Sequence, residues 1–180
     1  MSPKSVKILL TGLPGCGKTT AIIQIADSLK HSKVVGFYTQ EIREENIRKG
    51  FRWRRFDGAE GILAHINIKS PFKVGKYRVD VAGLEKSVVP ILDVDRTDAD
   101  LFIIDEIGKM ECMSEKFIAA VCRLFASEKP VLATVAQKGA GLISDVKNYP
   151  GTKLFNLTHQ NYNKTISEIL EILLFLKKPS

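Results

Sequence analysis

A glycine-rich segment near the N-terminus has the residue types and the spacing needed to hold phosphate groups. It reads Gly12-Leu13-Pro14-Gly15-Cys16-Gly17-Lys18-Thr19-Thr20 and contains the pattern G-x-x-x-x-G-K-[ST]. The glycines allow the backbone to turn successive N–H groups inward around an anion, and a helix beginning near Lys18 directs its positive end to the same point. Lys18 can reach the β- and γ-phosphates of a nucleotide, and the Thr19 hydroxyl is placed to hold Mg²⁺. The segment therefore predicts a phosphate-binding loop.

Two acidic residues follow a short apolar run later in the chain. Leu101–Ile104 predicts a buried strand that places Asp105 at its carboxyl end, beside the phosphate loop, where Asp105 can hold Mg²⁺ together with Thr19. Glu106 is expected on another side of the same site, where a second carboxylate can activate water for attack on a γ-phosphate. The predicted nucleotide contacts in this segment are Ile104, Asp105, Glu106, Ile107, Gly108 and Lys109.

Lys109 has two interpretations that the sequence leaves open. It can neutralise charge that develops on a transferred phosphoryl group, or it can be a solvated lysine in a loop. The preceding residues also satisfy the pattern D-x-x-G of regulatory GTPases. The guanine-reading pattern N-K-x-D is absent, because Asn163-Lys164-Thr165 is followed by Ile166. No strict preference for guanine is therefore expected.

The elements that position these residues alternate between strand and helix. The patterns predict strands at Lys7–Thr11, Val34–Thr39, Leu101–Ile104, Pro130–Val135 and Thr152–Leu157, and helices at Thr19–Lys30, Gly83–Leu92, Ser114–Ser127 and Thr165–Leu176. Between about 43 and 79 the pattern changes to short alternating segments around the turn Asp57-Gly58. We expect one α/β domain over residues 1–180, with a mostly parallel sheet, helices on both faces and an antiparallel hairpin inserted at one edge.

Composition and charge set limits on the class of protein. A chain of 180 residues with 44% hydrophobic residues can form a sizeable core, and Cys16, Cys112 and Cys122 are too few and too scattered for a disulfide framework. No apolar run is long enough to cross a membrane, so a cytoplasmic protein without a membrane partner is expected. The net charge of +7 favours either a nucleic acid or a small phosphate-rich ligand, and charge alone does not choose between them.

The sequence resembles the thermophilic nucleoside-phosphatase family of P-loop NTPases, a family that includes the cancer-related nucleoside triphosphatase. The resemblance rests on the phosphate loop, on Gly36–Arg43, on Val74–Asp80, and above all on Ile104–Glu111. It implies a RecA-like sheet, with one strand inserted between the strand before the phosphate loop and the strand bearing Asp105. It also implies slow hydrolysis of ribonucleoside triphosphates with loose base choice and with Mg²⁺ as cofactor. We expect ATP, GTP, CTP and UTP as ligands and a monomeric protein.

The same resemblance implies that Glu106 is the acid that activates water, and it shows two departures from the family pattern. This chain has Val135-Ala136 after Thr134, where family members have a proline. It also has Tyr162 where members often carry an arginine. The task of that arginine in this chain therefore falls to another group or to none.

Two other functions share some of these features. A small-molecule kinase uses the same phosphate loop but needs a mobile lid with several arginines, for which the basic segment 43–55 is the candidate. A nucleotide-switched module that binds nucleic acid would use the same segment, with Phe51, Trp53 and Phe56, as a basic aromatic surface. Glu106 directly after Asp105 favours water as the acceptor, and interspersed acids weaken the basic surface, so hydrolysis is the preferred interpretation.

Overall fold

The computed structural model describes residues 6–176, and one mixed sheet organises this part of the chain. Its strands are β1 (Lys7–Thr11), β2 (Val34–Glu44), β3 (Ile47–Arg55), β4 (Glu60–His65), β5 (Lys73–Val74), β6 (Tyr77–Val79), β7 (Leu101–Ile107), β8 (Val131–Val135) and β9 (Thr152–Asn156). Its α-helices are α1 (Lys18–Ser28), α2 (Val81–Ser87), α3 (Glu115–Ala126), α4 (Leu142–Lys147) and α5 (Tyr162–Phe175). Short 3₁₀ turns occupy Val89–Leu92 and Glu111–Met113.

The strand order is β5-β6-β4-β3-β2-β7-β8-β1-β9. Strands β2, β7, β8, β1 and β9 are parallel, whereas β3, β4, β6 and β5 continue the sheet in antiparallel fashion beyond β2. Strand β8 lies between β1 and β7, which confirms the inserted strand expected of a RecA-like sheet. Because parallel strands end at the same edge, this order brings the residues after β1 close to those of β7.

Helices cover both faces of the sheet, as the alternating pattern predicts. Leu9 and Phe102 face one side and pack in a core with Phe117 of α3 and Val146 of α4. The neighbouring residues of the same strands face the other side, where they pack with α1 and α5 in a second core that includes Ile8, Leu10, Leu101, Ile103, Ile22, Ile25, Ile166 and Ile169. The three central strands β1, β7 and β8 are therefore buried on both faces, which explains their continuous apolar runs.

The antiparallel part is more extensive than the predicted hairpin. Strand β2 runs to Glu44, beyond the predicted end at Thr39, and turns into β3 through Glu45 and Asn46, which both have positive φ. Strands β4, β6 and β5 then widen the sheet by three further strands. Trp53 of β3 is 5% exposed, so it serves as an apolar anchor of this extension rather than as a surface for a base.

The predicted helices differ in detail from the observed ones. Ser114 caps α3, since its hydroxyl accepts a hydrogen bond of 3.0 Å from the N–H of Phe117. The single helix predicted over Gly83–Leu92 is instead α2 followed by a 3₁₀ turn, because Pro90 cannot supply the N–H that an α-helix needs. Helix α4 was not predicted, since it has only six residues and its pattern is too short to recognise. None of the helices between residues 6 and 176 is long and apolar enough to cross a membrane.

Lys7 is buried within β1, which is unusual for a charged residue. It is 2% exposed, and its Nζ donates hydrogen bonds to the carbonyl oxygens of Ser127, at 2.9 Å, and Lys129. Burial lowers the pKa of the Lys7 ammonium to about 8. The unfolded chain, with a pKa near 10.5, binds more protons than the folded chain between these two values, so stability contributed at Lys7 rises with pH across that interval.

We therefore expect the free energy of unfolding to gain about 2 kcal/mol from Lys7 between pH 8 and pH 10. Urea unfolding at both pH values, on the parent and on Lys7→Met, measures this gain as the difference between the two proteins. Methionine keeps the length of the side chain and cannot titrate, so the variant lacks the rise. An equal rise in both proteins would show that other groups cause it.

Candidate functional site

The loop between β1 and α1 has a backbone that favours glycine at its fixed positions. Gly12, Gly15 and Gly17 have φ values of 150°, 79° and 96°, in the region where other residues are strained. A Cβ at Gly12 would also lie 2.5 Å from the carbonyl oxygen of Leu157 and 2.8 Å from the Sγ of Cys16. Cys16 is itself buried, so its side chain fills space beneath the loop.

Helix α1 begins without a side-chain cap, and this leaves its first N–H groups available to a ligand. Its N-cap residue is Gly17, whose lack of a side chain leaves the N–H groups of the first turn without a capping partner from that residue. Lys18 folds over the loop, where its Nζ donates to the carbonyl oxygens of Gly12 at 3.0 Å and Leu13 at 3.3 Å. An uncapped helix N-terminus beside an ammonium group is suited to binding a phosphate chain.

Asp105 is held at the edge of the sheet by groups from three other elements. It is 2% exposed; its Oδ2 accepts hydrogen bonds from the Thr19 hydroxyl at 2.7 Å and the Thr39 N–H at 3.3 Å, and its Oδ1 accepts one from the Thr134 hydroxyl at 2.5 Å. Burial raises the pKa of the Asp105 carboxyl, while these hydrogen bonds and the charge of Lys18 act in the opposite direction. The carboxylate is therefore fixed in position beside the phosphate loop.

The donor set formed by Thr19 and Asp105 fits a hard divalent cation. A hydroxyl and a carboxylate oxygen lie in contact, and Mg²⁺ typically takes only one or two ligands from a protein and the rest from phosphate and water. Across residues 6–176 no group of three or more His, Cys, Asp or Glu side chains forms a metal cluster. A cation at this site would thus depend on the nucleotide for much of its coordination.

Strand β7 continues past Asp105, which corrects the prediction that Asp105 ends the strand. The strand runs to Ile107, and its pairing with β8 shifts register between Ile104 and Ile107. In a regular strand neighbouring side chains point to opposite faces, whereas an irregularity changes the direction of the side chains within it. The shift therefore allows both Asp105 and Glu106 to line one cavity.

Glu106 shares its surroundings with a second carboxylic acid, Glu111. A Cβ at Gly108 would lie 2.7 Å from the Oε1 of Glu106 and 3.0 Å from the Oε2 of Glu111, so the two carboxyl groups flank this glycine. Burial raises the pKa of Glu106, the charge of Asp105 raises it further, and Lys18 lowers it. Burial also raises the pKa of Glu111, to about 8, with a contribution from Glu106. Two acids with raised pKa values beside a phosphate loop are typical of a catalytic site.

A cavity of about 590 Å³ connects the phosphate loop with these acids. Among the predicted site residues, those that line it are Pro14, Gly15, Gly17, Lys18, Thr19, Thr20, Asp105, Glu106 and Lys109. Lys109 is exposed at the rim, and Leu13 is 65% exposed outside the cavity. The side chains of Ile104 and Ile107 are fully buried in the core, so they hold the motif in place instead of contacting a ligand directly.

Several residues of this site were missed by the sequence analysis as functional groups. Thr39 and Thr134 hold Asp105, and Glu111 adds a further acid to Asp105 and Glu106 in the cavity. The sequence pattern gave one indication of the role of Thr134, because it is a polar residue within the apolar run Val131–Val135. The structure shows that Thr134 is completely buried. The far end of the cavity is lined by Arg48, Phe51, Leu63 and Val74 of the antiparallel extension. Of these, Arg48 and Phe51 belong to the segment 43–55, which the sequence analysis linked only to the two alternative functions.

A phosphate loop between a parallel strand and a helix, facing an acid on a strand two positions away, defines a P-loop nucleotide-binding protein. Residues 7–170 match the family model NTPase_1, described as NTPase, and the chain therefore belongs to this family. A relative from Thermotoga sp. (strain RQ2), named nucleoside-triphosphatase THEP1, is 44% identical over 94% of this chain and 97% of its own length. The human cancer-related nucleoside-triphosphatase is 34% identical over 91% of this chain and 94% of its own length.

A solved structure supports the same fold. The crystal structure of THEP1 from the hyperthermophile Aquifex aeolicus superimposes with a TM-score of 0.83 at 33% identity, covering 93% of this chain and 99% of that one. The family and the RecA-like α/β fold inferred from the sequence are thus confirmed.

Proposed function

We propose that this protein hydrolyses nucleoside triphosphates to nucleoside diphosphates and phosphate, with Mg²⁺ as cofactor and with broad base choice. The observation that supports this proposal best is the shared cavity that joins Lys18 and Thr19 to Asp105 and Glu106. The names of the relatives, nucleoside-triphosphatases in both bacteria and human, support the same reaction.

Different groups of the protein bind the phosphates and the cation. The N–H groups of the phosphate loop and of the first turn of α1 hold the phosphate oxygens, and the Lys18 ammonium bonds to the β- and γ-phosphates in place of its present carbonyl partners. Thr19 and Asp105 would hold Mg²⁺, which when bound neutralises charge on the β- and γ-phosphates. Lys109 at the rim adds positive charge near the same phosphates.

Glu106 is the group that we assign to the chemical step. It takes a proton from a water molecule while the water oxygen attacks the γ-phosphorus. The bond between the γ-phosphorus and the β–γ bridging oxygen breaks, and the nucleoside diphosphate leaves. Burial and the neighbouring Asp105 charge raise the pKa of Glu106, which makes its carboxylate a stronger base than an exposed glutamate.

The surroundings of the basic segment favour hydrolysis over both alternatives. Five arginines in this segment each bind a neighbouring acid: Arg43 and Arg48 bind Glu41, Arg52 and Arg54 bind Glu60, and Arg55 binds Asp57. Five guanidinium groups thus share three carboxylates, which reduces the positive charge that this segment offers to a kinase lid or a nucleic-acid surface. Consumption of triphosphate with no added acceptor distinguishes hydrolysis from a kinase reaction.

We expect ATP, GTP, CTP and UTP to be hydrolysed within roughly tenfold of one another in kcat/KM. The groups that we assign to binding contact the phosphates and the cation, which all four triphosphates share. The guanine-reading N-K-x-D pattern is missing. A phosphate-release assay over all four triphosphates and the corresponding diphosphates, with and without Mg²⁺, tests this expectation and the proposed function together. A preference of several orders of magnitude for one base would contradict broad choice, and no phosphate release from any triphosphate would contradict hydrolysis.

The proposal extends to the organisation of the chain. One sheet joins all the strands between residues 6 and 176, and Cys16, Cys112 and Cys122 are free thiols. The single sheet supports one domain over 1–180, and the free thiols fit a reducing compartment such as the cytoplasm. That the protein acts as a monomer stays a prediction.

A further inference from the structure

The direction of the nucleotide across the phosphate loop follows from the sheet order. The proposed function places Asp105 and Glu106 beside the γ-phosphate, and both residues lie on β7, on one side of β1. The N–H groups of the loop and of the first turn of α1 hold the phosphates nearer the nucleoside. The nucleoside therefore leaves the loop on the other side of β1, where β9 and α5 lie.

Tyr162 places an aromatic ring on this side, against the end of the phosphate loop. A Cβ at Gly17 would lie 3.0 Å from Cε2 of the ring and 3.5 Å from Cδ2. The Tyr162 hydroxyl donates to the Oε1 of Gln24 at 3.5 Å, and Gln24 lies one helical turn after the exposed Thr20 on α1. The ring is partly exposed, so it extends from the loop towards the surface where the nucleoside must leave.

The backbone before Tyr162 is held in place by hydrogen bonds from Asn161. The Asn161 side chain accepts from the N–H of Thr158 at 2.8 Å and donates to the carbonyl oxygen of Asn156 at 2.9 Å. The hydroxyl of Thr158 in turn accepts from the N–H of Asn161 at 3.2 Å. The backbone that carries Tyr162 is therefore held in place before any ligand arrives, which lowers the entropic cost of using its ring for binding.

We propose that Tyr162 forms the base-binding wall of the nucleotide site, on which the purine or pyrimidine ring of the substrate stacks. This inference rests on the proposed function and adds a residue that determines how the nucleoside is held. Stacking on an aromatic ring tolerates every base, because each base has a π-face and no hydrogen bonds are read. It thus provides affinity for the nucleoside without base selection.

The test compares a ligand that has a base with one that lacks it. We expect Tyr162→Ala to weaken binding of Mg–ADP and Mg–CDP by about 5- to 100-fold, the range expected for the loss of one stacking partner. Binding of Mg–tripolyphosphate, which has no base, should change less than twofold. Tyr162→Phe keeps the ring and should restore nucleoside diphosphate affinity to within about twofold of the parent. Titration calorimetry measures all these affinities.

Two outcomes would overturn the proposal. An equal loss of affinity for tripolyphosphate would show that Tyr162 only supports the loop by packing on Gly17, and unchanged affinity for the nucleoside diphosphates would show that the base lies elsewhere. Phe175→Ala, at the far end of α5 with Phe175 72% exposed, is the control for loss of an aromatic ring on this helix. Because binding is measured without turnover, these results stay distinguishable from a failure to hydrolyse triphosphates.

Discussion

Glu106→Gln should lower turnover by about 10²–10⁴ while nucleotide binding is retained. Glutamine preserves the size of the side chain and one carbonyl acceptor, but it cannot take a proton from the attacking water. The phosphate loop and Asp105 are unchanged in this variant, so ATP should bind with an affinity close to that of the parent. Phosphate release and titration calorimetry in one buffer measure turnover and binding separately.

Asp105→Asn is the matched control, because it also replaces a carboxylate by an amide in the same cavity. Asp105 contacts Thr19, so replacing its carboxylate should lower the affinity for nucleotide. It should also make nucleotide binding less dependent on Mg²⁺. Hydrolysis by Glu106→Gln at the parent rate would move the catalytic role to another acid, with Glu111 the nearest candidate. Complete loss of binding in Glu106→Gln would instead show that Glu106 is a structural or cation-binding residue.

Lys18→Ala should weaken binding of ATP by at least about 100-fold and thereby abolish turnover at ordinary substrate concentrations. The Lys18 ammonium lies over the loop within 3.3 Å of two carbonyl oxygens, and no other side chain of the phosphate loop carries a positive charge. Its removal leaves the phosphates without their nearest counter-charge in a partly enclosed cavity. Titration with ATP and Mg²⁺ gives the change in affinity directly.

Lys30→Ala provides the comparison for Lys18→Ala, since Lys30 is an exposed lysine that follows the far end of α1. This variant should bind ATP as the parent does, so a loss common to both variants would indicate a general effect of net charge. Near-normal affinity in Lys18→Ala would contradict the assignment of the phosphate loop.

The sequence predicted those parts of the site whose geometry is local. The phosphate loop is a continuous segment in which glycine torsions and a following helix define the structure, so its pattern is readable without the fold. The apolar run before Asp105 and Glu106 likewise indicated a buried strand beside the loop. In both cases residues close together in the chain determine the local structure.

The partners of Asp105 could not be predicted, because they come from elements far apart in the chain. Thr39 and Thr134 reach the carboxylate only once β2 and β8 have taken their places on either side of β7. The predicted strand Val34–Thr39 ended five residues before the observed β2, which runs to Glu44, and the reason is different. Beyond Thr39 its residues are half-buried or exposed and carry charges, so the apolar signal ends before the strand does.

The length of β2 has a mechanical consequence for the molecule. This strand of 11 residues pairs with β7 at Val34–Phe37 and donates the Thr39 N–H to Asp105. It also pairs with β3, the first of the outer strands, from Phe37 to Glu44, with a register shift between Ile42 and Arg43. From Thr39 to its end at Glu44, β2 extends by roughly 17 Å. The outer strands are therefore continuous with the strand that contacts Asp105, and no loop separates them from it. A displacement of the outer strands that extends along β2 as far as Thr39 would change the hydrogen bond between Thr39 and Asp105.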